Sequence, residues 1–278
     1  MRAMVKDDIE FAIGLTDHEG WAYTRPEFER ILRLRHVGSF VWGDESPLGL
    51  VTSVQYGDSA VIGHLVVSGE VRGRKVGRRL LEASLRELDD SGIRSVFLCA
   101  TSAGEPLYES CGFRTMRDVV SYGFRVSLDE KRRVCGTMLR EDLPEVCELD
   151  GKLFGDDRSE LLQELYREHP DLCFKLVGDG RIAGYVLGRR TPLGGDIGPW
   201  CSTTGSIDDA IGLIHSVLDH FRGERVDLGF FNDVPLARSA LEGLEAVKQV
   251  SVKLMVRGDV RYPKDRAGVL GLVGFELG

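Results

Sequence analysis

Four basic side chains, Arg72, Arg74, Lys75 and Arg78, crowd into one short stretch with Gly73 and Gly77. The stretch joins an apolar run, Val61 to Val67, to a segment whose apolar residues recur at helical spacing. Main-chain N–H groups at a helix start have no internal partners and carry the positive end of the helix dipole, so such a junction is a natural anion site. The glycines let backbone approach a ligand, and the basic side chains add charge around the turn. The chemistry this suits is the holding of a pyrophosphate. The cluster is local: the chain as a whole carries a net charge of -8 over 278 residues, which argues against general nucleic-acid binding.

Other chemistries find less support. The six cysteines (Cys99, Cys111, Cys135, Cys147, Cys173 and Cys201) form no C-x-x-C pair and have no histidine at metal-ligand spacing, so they read as buried thiols and no metal is expected. Neither G-x-x-x-x-G-K-[ST] nor G-x-G-x-x-G occurs, which speaks against a nucleotide hydrolase or a dinucleotide enzyme. No apolar run is long enough to span a bilayer, and the opening residues lack the apolar core of a signal peptide. The expectation is a soluble, cytoplasmic protein with no membrane partner.

The elements that must place these residues can be read from pattern. A helix is expected over Ile9–Leu15, and Thr24-Arg-Pro-Glu27 forms a capping box that opens a second helix through Leu34. Phe40–Trp42, Leu48–Tyr56 and Ser59–Val67 read as an antiparallel meander. After the basic loop, Val76, Leu80, Leu81, Leu85 and Leu88 give a helix one buried face. A strand at Ser95–Ala100, a short helix at Glu105–Ser110 and strands near Arg117–Val126 follow.

The chain also repeats itself. Gly43/Gly178, Asp44/Asp179, Gly49/Gly184, Ile62/Ile197 and Gly63/Gly198 all lie 135 positions apart, and each copy reads as strand, Gly-Asp turn, glycine-bearing strand and a third strand with Ile-Gly. Two copies of one fold are expected, residues 1–127 and 135–278, joined by a charged linker at 128–134. Carrying the offset onward sets Ile207-Asp-Asp-Ala-Ile-Gly212 against Arg72–Gly77. Aspartates there would cap a helix and repel a pyrophosphate, and no tyrosine falls between Val226 and Arg261. The second copy therefore reads as degenerate.

This order of elements, with an R-x-x-G-x-G/A type loop and Leu107-Tyr-Glu-Ser-Cys-Gly-Phe113, resembles the GNAT N-acetyltransferases. Leu149-Asp-x-x-x-Phe154-Gly-x-Asp-Arg-Ser159, Ala183-Gly-Tyr-Val-Leu-Gly188 and Ile197-Gly-Pro-Trp200 resemble the YitH/HolE-like second domain of a tandem subgroup. Glu19-Gly-Trp21 and Ala100-Thr101-x-x-Gly104-x-Pro-Leu-Tyr108 fit the same subgroup. The resemblance implies an α/β fold of two tandem GNAT-like domains, each a central mixed β-sheet flanked by helices. In one departure, Lys75 stands at the first glycine of the loop pattern, and if that position requires positive φ the lysine is strained.

The resemblance further implies acetyl-CoA as co-substrate. Its pantetheine arm would lie along a splayed strand end at Leu65, Val66 and Val67, and its pyrophosphate would be held by Arg72, Gly73, Arg74, Lys75, Val76, Gly77 and Arg78. Tyr108, at the family's motif position, would give a proton to the departing sulfur, unless its ring serves only the core. The base stays open among Glu19, His64 and a water relay. Trp21 and Tyr23 would either line the acceptor pocket or form a hydrophobic staple beside Thr24. The leading expectation is direct transfer of acetyl to a primary amine of a small molecule such as an amino sugar or polyamine. The alternatives are a catalytically silent acyl-CoA-binding regulatory module and a protein-lysine acetyltransferase. The second half would complete the acceptor pocket, position the first domain or mediate assembly, a homodimer being one option.

Overall fold

The computed structural model describes residues 1–44, 46–127, 135–242, 244–259 and 267–278; the linker expected at 128–134 lies outside them. The chain divides into two compact units, Met1–Met116 with Leu254–Val260 and Phe275–Gly278, and Arg117–Lys253 with Arg261–Gly274. The units thus exchange segments across the boundary that continuity along the chain suggests. Two late segments belong to the first unit, and residues from Arg117 on belong to the second.

The first unit contains β1 (Arg2–Ala3), α1 (Ile9–Asp17), α2 (Arg25–Arg33), β2 (Phe40–Trp42), β3 (Gly49–Tyr56), β4 (Ser59–Val67), α3 (Val76–Asp90), β5 (Ser95–Ala100) and α4 (Glu105–Glu109). The capping box forms: the Thr24 N–H donates to Glu27 Oε2 at 2.7 Å, with Pro26 in the first turn where a missing N–H costs nothing. β1 to β4 pair antiparallel in chain order, and β4 then pairs parallel with β5. The apolar face of α3 lies on this sheet. Leu80, Leu81, Leu85 and Leu88 join Val51, Ala60, Ile62, Val96 and Leu98 in one buried cluster, completed by Met255 from the late segment. Each such leucine contributes about 1.5–3 kcal/mol by leaving water. That core fixes both strands and the helix that flank the basic loop.

The second unit takes up most of β6 (Arg114–Arg125), then β7 (Gly136–Thr137), α5 (Leu143–Phe154), α6 (Ser159–Glu168), β8 (Cys173–Gly178), β9 (Arg181–Thr191), β10 (Gly194–Ser202), α7 (Ile207–Leu218), β11 (Arg225–Phe231), α8 (Pro235–Ala240), part of β12 (Val247–Gly258) and β13 (Val269–Gly271). Its sheet runs β6-β11-β10-β9-β8-β7, with β13 added against β10. β10 is the counterpart of β4 at the offset of 135, residue for residue. The offset fails beyond it. Only four residues join Ser202 to Ile207 where eight join Val67 to Val76, so Asp208 and Asp209 lie in the first turn of α7 rather than in a loop.

Candidate active site

In the first unit β4 and β5 pair from Ser59/Ser95 to Ile62/Leu98 and then part. Among the described residues, the β5-facing edge of β4 beyond Ile62 has no strand partner, while its other edge stays paired to β3 through Val67. Leu65, Val66 and Val67 lie on this free length. A shift of register between Leu50 and Thr52 marks a bulge, and His64, at φ 45°, is the residue that absorbs it.

β4 leads to a buried 3-10 turn at Val71 and then to the exposed Arg72, Gly73, Arg74 and Lys75. Gly73 has φ 78°, and Lys75, immediately before α3, sits in the left-handed region at φ 62° and ψ 16°. The strain foreseen for a lysine at a glycine position is therefore present. No side chain caps α3, and no acid stands in its first turn. Its leading N–H groups at Val76, Gly77 and Arg78 remain available to an anion. The Arg72 guanidinium pairs with Glu19 and donates from Nε to the Val67 carbonyl at 3.1 Å. Arg78 reaches Ser110 Oγ at 2.7 Å, tying the loop to the end of α4. Glu19 is thereby paired with the basic loop.

Tyr108, on α4, is half-buried, its ring packed on the core cluster and 6.0 Å from that of Phe113. Burial, with a smaller contribution from Cys99, pushes its phenol up to about 12. It therefore holds its proton across the neutral range, as a proton donor must. Core packing and acid chemistry are compatible for this side chain: the ring is gripped and the phenol is kept protonated.

His64 is buried at 5% exposure. Its Nδ1 lies 2.8 Å from Thr52 Oγ1, whereas its Nε2 has no hydrogen-bond partner. The rings of Tyr23, Phe28 and Trp21 stand 4.3, 5.0 and 6.5 Å from it. Desolvation lowers its pKa to about 4, against the pull of nearby Glu276, so the imidazole is neutral at physiological pH. Tyr23 packs as the staple residue and also reaches a carboxylate. Its ring packs 6.0 Å from Phe28, one turn into α2, as a staple does, and its hydroxyl donates to Glu276 Oε2 at 2.7 Å.

Glu276 was not legible in the sequence. It is only 7% exposed and rests directly on β4: a Cβ at Gly63 would stand 2.6 Å from the Glu276 Cβ. The Tyr56 hydroxyl holds the next residue, donating to the Leu277 carbonyl at 3.0 Å. Cys99, half-buried on β5, is raised to about 12 by burial first and by Glu276 second. No motif or period announces a carboxylate placed here from more than two hundred residues away.

The equivalent cleft of the second unit is filled by the chain itself. β10 and β11 pair parallel from Gly195/Val226 to Ile197/Leu228 and then part, as β4 and β5 do. Into that gap comes β13, which pairs with Trp200 and Cys201, the counterparts of Leu65 and Val66. On the other side the Leu272 N–H donates to the Gly229 carbonyl of β11 at 2.8 Å. Ser206 caps α7 by accepting from the Asp209 N–H, and two aspartates occupy the first turn. The sequence motifs of this half prove to be packing devices. Asp150 and Arg158 form a buried bidentate pair at 2.7 and 3.1 Å, joined by the Tyr185 hydroxyl and covered by Phe154.

Residues 32–126 and 146–271 each match the family described as acetyltransferase (GNAT) domain. Over 147 residues the chain is 32% identical to the uncharacterized N-acetyltransferase YitH of Bacillus subtilis, covering 52% of this chain and 51% of that protein. The aligned part thus spans about half the length of that curated relative. The fold is similar to that of a putative acetyltransferase from Pyrococcus horikoshii (TM-score 0.83, 20% identity, covering 100% of this chain and 95% of that one). It is also similar to a tandem GNAT protein from the clavulanic acid biosynthesis pathway (TM-score 0.63, 14% identity, covering 94% and 98%). The chain belongs to the GNAT N-acetyltransferases and carries two such domains in tandem.

Proposed function

We propose that this protein transfers the acetyl group of acetyl-CoA directly to a primary amine of a small molecule, an amino sugar or polyamine being the expected class, and that it does so in the cytoplasm at one site per chain. One observation carries the reading: a parted strand pair runs into an uncapped, acid-free helix N-terminus in the first unit, while the copy of that cleft in the second unit is plugged and capped by its own residues. These features fit the co-substrate. Leu65, Val66 and Val67 would pair with the pantetheine arm through backbone groups, and residues 72–78 would take the pyrophosphate. When bound, acetyl-CoA supplies an activated acyl group and a thiolate leaving group. Tyr108 would give the sulfur its proton. Residues 135–278 would then hold no acetyl-CoA site of their own.

Calorimetric titration with acetyl-CoA, CoA and dephospho-CoA tests this. We expect saturation at one site per chain, a stabilisation of about 2.7 kcal/mol at roughly a hundredfold excess over Kd, and loss of binding in the Arg72→Ala/Arg74→Ala double variant. Failure of all three ligands to bind would sink the reading. Binding without amine-dependent release of CoA would favour a silent acyl-CoA-binding module instead.

A further inference from the structure

We propose that Glu276 is the catalytic base of this site, the carboxylate that receives the acceptor's ammonium group and takes its proton where β4 and β5 part. The inference rests on the transferase reading and assigns a residue within the same site. Gly63, on which Glu276 lies, directly follows Ile62, the last residue of β4 paired to β5. On the opposite strand the next residue is Cys99, within electrostatic reach of both Glu276 and Tyr108. Glu276 therefore packs on β4 at the point where the split begins, near the Cys99 thiol that in turn lies near the proposed acid.

Its surroundings suit an ammonium. Tyr23 orients one oxygen at 2.7 Å, and the aromatic rings of Trp21, Tyr23 and Phe28 gather about neighbouring His64. In such a low-dielectric setting the attraction between carboxylate and ammonium is several times its value in water, and ring faces add cation–π attraction. The buried His64 Nε2 without a partner gives an incoming polar group a further contact. Among the described residues, titratable groups facing this point include the His64 ring on β4, the Cys99 thiol on β5 and the Tyr23 hydroxyl. Neither the imidazole nor the thiol offers an ammonium a negative charge as a carboxylate does: the imidazole, with its pKa at about 4, is neutral, and the Cys99 thiol is held protonated.

The step balances. Glu276 takes one proton from R–NH3+, and the freed nitrogen lone pair forms the C–N bond at the thioester carbonyl carbon. The C–S bond breaks, and Tyr108 gives its hydroxyl proton to the sulfur. The nitrogen's second proton restores Tyr108, and Glu276 releases its own to solvent. The products are the N-acetyl amine, CoA thiol and one proton.

The test compares the whole chain with its Glu276→Gln and Glu276→Asp variants, using tyramine, spermidine and glucosamine as probes. CoA release is followed against pH, and acetyl-CoA binding and probe binding to the CoA-loaded protein are measured by calorimetry. For Glu276→Gln we expect kcat/KM to fall about 100-fold or more, and probe binding to weaken by about tenfold. Acetyl-CoA affinity should stay within about threefold, and the deficit should shrink as rising pH deprotonates the amine. Glu276→Asp should recover part of the rate with the wild-type shape of pH profile. Glu276→Gln turnover within about threefold of wild type at every pH overturns the assignment and leaves the transferase reading standing. A wild-type chain that binds acetyl-CoA but acetylates none of the probes overturns that reading, and the base role falls with it.

Discussion

The two strand splits of this molecule begin alike and end differently. β4 parts from β5 after Ile62, and β10 parts from β11 after Ile197, the residue 135 positions on. In the second unit β13 enters the gap and satisfies the free edges with the chain's own backbone. In the first, no strand of the described residues enters the gap, and Glu276 packs against the face of β4 at Gly63. Backbone groups buried without partners are costly, so a parted sheet is either filled during folding or leaves its free edges to water or a ligand. One copy took each course, and the helix ends agree: α7 is capped by Ser206 with acids in its first turn, and α3 has neither.

Matched alanine substitutions at the two splits would expose the difference. A Cβ at Gly198, whose φ is 153°, would stand 1.7 Å from the Leu272 carbonyl oxygen, so Gly198→Ala must expel the filling strand. We expect a loss of about 4 kcal/mol or more in urea unfolding. A Cβ at Gly63 would stand 2.6 Å from the Glu276 Cβ and 3.0 Å from its Cα, so Gly63→Ala must shift this short segment and should cost about 1–3 kcal/mol as overpacking does, with amine transfer more impaired than acetyl-CoA binding. Equal stability losses would show that the first split is as filled as the second.

A smaller effect sharpens the contrast through pH. The folded pKa of His64 is depressed by burial to about 4 from its ordinary value of 6.5. The unfolded chain therefore binds more protons between those values, and the stability due to a neutral buried imidazole is present above about pH 6.5 and lost as pH falls toward 4. From neutrality to about pH 5 the loss should be about 2 kcal/mol. His64→Asn, which tolerates the positive φ, should remove this component in unfolding titrations run at both pH values, leaving the acid-range losses of Asp8 and Asp142 in place. An unchanged pH slope would refute a depressed His64.

The smallest expected effect concerns the loop. Lys75→Gly relieves the left-handed strain at φ 62° and should stabilise the protein by up to about 1 kcal/mol. If the ammonium contributes to phosphate binding, acetyl-CoA Kd at low salt should rise by about 3- to 10-fold; a gain in stability with no change in Kd would confine Lys75 to a structural role.

Much of the first unit was legible because its signals are local. The Thr24–Glu27 box and the apolar stripe of α3 each act over one or two turns of chain, and each formed where the spacing placed it; in the second unit the Gly178-Asp179 turn did the same between β8 and β9. The repeat was legible as far as β10 and misleading beyond it. A fixed offset assumes loops of equal length, and the four missing residues turn what aligned as a phosphate loop into the first turn of α7. Motif residues of the second half likewise carried no hint that Asp150 and Arg158 would be spent on each other.

The sequence by itself determined the periodicities, the caps, the basic loop with its misplaced lysine and the existence of two copies, because propensity, charge and turn geometry depend on near neighbours. Only the tertiary structure decided which split is filled, that Arg72 would engage Glu19, and that Glu276 would arrive beside Tyr23 and Gly63. Those pairings join residues separated by dozens to hundreds of positions. Their free energy comes from burial and hydrogen bonds that exist only once both segments are packed on the same sheet, and no local pattern encodes them.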